Sequence, residues 1–155
     1  MKLSINRTDV KLKPNFKKVI PRFFNTGDER SHALINKILQ MPDAEVKNLL
    51  NQILHEFAGR YRNIDAIFIK HFNLIKYLLP EDTQLALPNE KKLLIGSYFT
   101  MEYSIEAAAL FNPSVVEDPD QSGISVGEKK VIVSFRATGE NHISSVIFKR
   151  GTLDK

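Results

Sequence analysis

Residues 101–116, MEYSIEAAALFNPSVV, and residues 131–148, VIVSFRATGENHISSVIF, decide how the chain is read. The first stretch opens as the end of a long helix: Leu93, Leu94, Ser97, Tyr98, Met101 and Ile105 share one helical face, and the period breaks at Asn112-Pro113, where proline forbids continuation. The second consists of two apolar, strand-like segments around a polar centre from Arg136 to His142. Together they predict a change from helix to sheet near residue 112. Polar and charged side chains then gather between two β-runs, where a sheet commonly presents chemistry.

Upstream, the helical period is strong. Asn25-Thr26-Gly27-Asp28 starts a helix over about residues 28–40, in which Leu34, Ile35, Ile38 and Leu39 repeat at i, i+3, i+4. Pro42 and Asp43 begin the next, with Val46, Leu49, Leu50, Ile53, Leu54 and Phe57 on one face, and Gly59 ends it. A third runs over about 64–79 with Ile67, Phe68, His71, Phe72, Ile75, Leu78 and Leu79 on a wide stripe, until Pro80 stops it. A loop through Pro88 leads to Asn89, the cap of a fourth. Four helices with short connections predict a helical bundle or layer over 26–111.

Downstream, residues 114–117, 130–136 and 143–149 read as three strands, with a turn-rich loop over 118–128. The fold class is therefore α+β: a helical domain followed by an antiparallel β-meander over 112–155. A meander of three leaves an unpaired edge, which natural sheets protect.

The 155 residues suit one domain or one domain with part of another, and a hydrophobic share of 43% is enough for a real core. With no cysteine, neither a disulfide framework nor a thiolate metal site is open to the chain. No apolar run reaches membrane-spanning length and the N-terminus lacks a continuous apolar core, so the expected setting is cytoplasmic, with no membrane partner.

The formal charge of +4 is uneven. Residues 1–25 hold seven Lys or Arg against Asp9 alone, a local charge of +6, and the remainder carries −2. Such an arm suits nucleic acid by charge, but it has only Phe16, Phe23 and Phe24 as rings and no recognised motif; the plainer reading is a segment lying on its own protein or on a partner subunit. Within it, Leu3 and Ile5 alternate with polar residues as in a short strand over 2–6, and Val10 and Leu12 repeat that period before Pro14.

Several residues could carry chemistry. Arg136 ends a hydrophobic strand, where a guanidinium is costly unless it pairs with a carboxylate such as Glu106 or Glu140 or faces a pocket. Asn112, held extended before Pro113, either points its amide into a cavity or stops the helix. Glu102 and Glu106, one helical turn apart, share a face and could hold sugar hydroxyls, do acid-base work, pair with Arg136, or be solvated surface. His142, Ser144 and Ser145 follow the Thr138-Gly139-Glu140 turn. No nucleophile elbow or third member accompanies them, so hydrogen bonding is expected of His142 and Ser144 rather than nucleophilic catalysis. His32, His55 and His71 have no ligand spacing, and no metal is expected. Asp118 and Asp120 fall in a solvent-like loop, Asp154 is near the end, and no catalytic residue is assigned.

The combination EAAALFNPSVV, SFRATG and HISSV, with VIPRFFNTGDER upstream, resembles the N-terminal part of glycoside hydrolase family 130, the β-mannoside phosphorylases and β-1,2-mannosidases. The likeness spans about residues 19–149 and several segments agree in order. It implies the first blade of a five-bladed propeller, preceded by the helical extension of larger bacterial members. It also implies a β-mannoside oligosaccharide as partner, inorganic phosphate as a possible co-substrate with no other cofactor, and homo-oligomer contacts through the helices. Arg136 matches an arginine that faces the family's central cavity. Asn112, His142, Ser144 and Glu106 are the further candidates for the binding wall. The catalytic aspartate of the family would lie beyond Lys155, so the chain is expected to be an N-terminal fragment inactive by itself. The alternative is a non-catalytic helical interaction module, with or without a nucleic-acid-binding arm.

Overall fold

Burial of apolar helix faces gathers residues 21–102 into one compact unit, and residues 9–20 with 103–154 form a second. The structure, a computed structural model, describes residues 9–154, so the strand read over 2–6 lies outside the described residues. Among them the fold is α+β, with five α-helices and two small sheets.

The helical unit contains α1 (Asp28–Gln40), α2 (Asp43–Ala58), α3 (Ile64–Ile75), α4 (Glu81–Ala86) and α5 (Asn89–Tyr98). Asp28 and Glu29 occupy the first turn of α1 and Lys37 its last, the arrangement a helix dipole favours. Its apolar stripe buries Ile35 and Ile38, which join Val46, Phe72, Ile75, Leu94 and Ile95 in one core; Leu50, Ile64, Phe68 and Leu93 form a second. The element around which this unit packs is α5, which touches α1, α2 and α3. Its residues Leu93, Leu94, Ile95, Gly96 and Ser97 are buried in succession, as in a helix enclosed on all sides. α4 lies where the sequence reads as a loop between Pro80 and Pro88.

The largest correction concerns residues 99–111. The fourth helix does not continue through Met101 and Ile105: it ends at Tyr98, and Met101 lies in strand β2 (Thr100–Ser104), which pairs with β1 (Val19–Phe23). The helix-favouring run EAAAL instead makes a turn and enters strand β3 (Ala109–Glu117), which pairs with β4 (Lys129–Thr138), so that Ala109 faces Thr138 and Leu110 faces Ala137. Distant pairing overrides a propensity worth only tenths of a kcal/mol per residue (~0.5). A third strand, β5 (Ser144–Leu153), pairs antiparallel with β4, which completes the expected meander in the order β3-β4-β5 with longer strands than the sequence suggests. Val10 and Leu12 lie outside any strand. No helix among the described residues is long and apolar enough to cross a membrane.

Gly96 explains the close approach of α5 to α3. A Cβ built there lies 1.9 Å from the Phe68 carbonyl oxygen, whereas a Cβ at Gly59 meets nothing within 4 Å. We expect Gly96→Ala to cost about 3 kcal/mol in chemical unfolding, because backbone must move to admit the methyl. Gly59→Ala, with a φ of −72°, should leave stability within about 1 kcal/mol of the parent.

Candidate functional site

The meander sorts its side chains by strand alternation. On one face Phe135, Ala137 and Ile147 are buried with Leu110 and Val133 against them. On the other, the register aligns Phe111 with Arg136 and Val146, Ser114 with Ser134 and Phe148, and Val116 with Ile132 and Arg150. This second face is apolar yet exposed: relative accessibilities are 49% for Phe111, 69% for Val146 and 66% for Phe148.

Four of the predicted site residues reach one end of this sheet. Arg136 lies on the exposed face, and its Nε donates to Ser144 Oγ at 3.0 Å. Neither Glu106 nor Glu140 is bonded to it, nor is any other carboxylate among the described residues. Thr138 and Ser144 are cross-strand partners, and His142 sits in the short turn between them. Asn112 interrupts the β3–β4 register in a bulge next to the pair Phe111–Arg136. Its φ of +50° corrects the extended backbone expected before proline; asparagine tolerates that left-handed conformation better than most residues. Chemically, the guanidinium keeps donors beyond Nε for an oxyanion or sugar oxygen, with a serine hydroxyl beside it. No carboxyl group belongs to it.

Glu106 is not part of it. The residue lies in the turn after β2 and not on a helix face with Glu102, and it is fully buried, at 0% relative accessibility. Its Oε1 accepts from Lys18 Nζ at 2.6 Å and its Oε2 from the backbone N–H of Asn15 at 3.0 Å. Burial by itself would raise this carboxyl, but the hydrogen bonds from Lys18 and Asn15, with the charges of Lys18 and Lys149, hold it below its ordinary value. Residues 13–18 of the basic arm are thereby tied down. Ser104 Oγ donates to Phe16 O, Ile105 N–H to Lys18 O, and Lys149 Nζ to Lys13 O. One lysine of the arm is thus spent on its own protein, which leaves less of its charge for phosphate. Sequence offered no local signal of this, since Lys18 and Glu106 are 88 positions apart.

The remaining acids have structural partners. Glu102 Oε1 accepts from Arg60 Nε at 2.7 Å and from Tyr61 Oη at 2.9 Å. Burial first, then that hydrogen bond and the carboxylate's charge, push the Tyr61 hydroxyl up to about 12. Asp118, expected in a solvated loop, is buried; its Oδ2 meets Arg150 Nε at 3.0 Å and its Oδ1 accepts from Asp120 N–H. Asp120 is held below its ordinary value, chiefly by hydrogen bonds from Ser122. His71 is a buried core histidine: Nδ1 lies 2.7 Å from Thr100 Oγ1, and burial, then Lys70, lowers its pKa. No group of three or more potential ligands for a metal ion occurs among the described residues. Comparisons with protein-family models, with characterised proteins and with solved structures returned no match.

A lowered carboxyl stabilises the fold fully above its unfolded value, about 4.3 for glutamate, and that stabilisation is lost as pH falls through the lower folded value. The Asn15 N–H, bonded to Glu106, and the Ile105 N–H, bonded to Lys18 O, are therefore expected to keep their protection from hydrogen exchange down through the ordinary glutamate range and to lose it only below that range. At neutral pH, Glu106→Gln should raise trypsin cleavage after Lys11, Lys17 and Lys18 about tenfold and lower stability by roughly 1.5–3 kcal/mol, as for loss of a charged hydrogen bond.

Proposed function

We propose that the chain is the N-terminal part of a carbohydrate-active enzyme of the kind found in glycoside hydrolase family 130, acting on β-mannosides. Its meander contributes to the binding wall and not to the reacting group. The observation that carries this reading is Arg136: a guanidinium on an exposed sheet face, anchored through Nε by Ser144 and without a carboxylate partner among the described residues. Pairing with Glu106 or Glu140 was the structural alternative, and neither carboxylate takes it. Such a guanidinium suits a phosphate or sugar oxygen. The apolar exposure of Phe111, Val116, Val146 and Phe148 further favours a meander that packs against another sheet, as the first blade of a propeller would. Exposed Leu74, Tyr77 and Leu85 on the helical unit suit homo-oligomer contacts.

Glycoside cleavage needs a proton donor at the leaving oxygen and an attacking phosphate or water. Asn112, Arg136, His142 and Ser144 supply hydrogen bonds and a guanidinium but no carboxyl group, and Glu106 is occupied by Lys18 and Asn15. Turnover of β-1,2- and β-1,4-linked mannosides, with and without phosphate, should therefore be absent for this chain and present for a polypeptide extended through the rest of a propeller. In that longer protein Arg136→Lys should lower kcat/KM on the order of 10²-fold, since lysine does not reproduce the guanidinium fork. Release of mannose or mannose 1-phosphate by the 155-residue chain itself would overturn the assignment; inactivity of both proteins would favour the helical interaction module.

A further inference from the structure

We infer that Tyr103 is a positioning residue for the Arg136–Ser144 pair, acting through the turn that carries His142. The inference rests on the binding-wall reading for its functional meaning, but its geometry stands independently. Tyr103 is buried, and its hydroxyl donates to the Glu140 carbonyl at 2.9 Å. It presses on the turn from the same side at Gly139, where an added Cβ would lie 2.3 Å from Tyr103 Oη and 2.6 Å from the Ser104 carbonyl oxygen. Glycine is thus required by close packing and not by its φ, which is −89°.

Between that clamp and Ser144 the backbone is unusual. Asn141 and His142 both have positive φ, at 53° and 58°. Two consecutive left-handed residues that are not glycine persist only where their surroundings hold them. Here the loop is closed by Gly139 N–H to Ile143 O at 2.9 Å and Ile143 N–H to Glu140 O at 3.3 Å. Tyr103 fastens this closed loop to the body of its unit at the carbonyl of Glu140, which also accepts the Ile143 N–H. Where the loop ends, Ser144 begins β5 and offers its Oγ to Arg136. A shift of the loop moves His142 directly and moves the acceptor of the guanidinium with it.

The test is hydrogen exchange by NMR on the 155-residue chain. Ser144→Ala calibrates it, because loss of the acceptor should speed exchange of the Arg136 Nε–H about tenfold. Tyr103→Phe is expected to speed that exchange by a similar factor and to shift the His142 amide and ring signals, while the amides of Val133 and Ile147 in the sheet keep their protection. Gly139→Ala, which presses the same clamp from the other side, should give the same pattern. Unchanged Arg136 exchange in Tyr103→Phe would overturn the proposal. So would a loss of protection at Val133 and Ile147 equal to that at Arg136 in both variants, since Tyr103 would then be core packing alone. Neither result depends on mannoside binding, so failure of the carbohydrate reading leaves this test interpretable.

Discussion

Two-sided pairing of the central strand, residues 129–138, is the constraint on which the β-rich unit depends. Its backbone groups are satisfied by β3 on one edge and β5 on the other, and this alone assigns its side chains to faces. Phe135 and Ala137 go to the core; Arg136, between them in sequence, must go to the opposite face. A register slip of one residue would bury the guanidinium and expose the phenylalanine. The bulge at Asn112-Pro113 takes up the mismatch that would otherwise run through β3, and it leaves Phe111 opposite Arg136 while Ser114 faces Ser134.

The second organising interaction is the ion pair of Glu106 with Lys18. A carboxylate out of contact with water is tolerated when it is paired and its oxygens are hydrogen-bonded, and here the arm supplies both bonds. In an arm that looks like a free polycation in one dimension, residues 13–18 are bonded to their own unit. The arm's backbone carbonyls at Lys13, Phe16 and Lys18 serve as acceptors for side-chain and main-chain donors 87 or more positions away. The same logic accounts for Asp118 and Arg150, where a charged loop residue is withdrawn from water because a strand arginine meets it.

Much of the helical unit was legible because its signals are local. Ile35, Ile38, Val46, Leu50, Phe68 and Phe72 sit at helical spacing, and prolines or glycine mark the ends of their segments, so period and punctuation agree. Legibility failed between Phe99 and Phe111. There Met101 and Ile105 continue a helical period by coincidence and Glu106 to Leu110 favour helix by composition, yet the partners that make them strand and turn, β1 and β4, lie far away in sequence. In the candidate site, Arg136 and Ser144 were legible as residue types next to a turn. Their bond was not, nor was the departure of Glu106 to the arm.

What the amino-acid sequence determined by itself is the alternation of periods: helices from about residue 28 onward, a β-meander toward the C-terminus, and an arginine late in an apolar strand. Those properties follow from side-chain spacing along a few turns or pleats. Only tertiary structure decided which carboxylate meets which cation, where the last helix stops, and which face of the meander Arg136 occupies. Each of these depends on groups tens of residues apart that compete for the same partners, and the competition is settled by burial: a charge withdrawn from water takes the nearest donor the folded backbone brings to it.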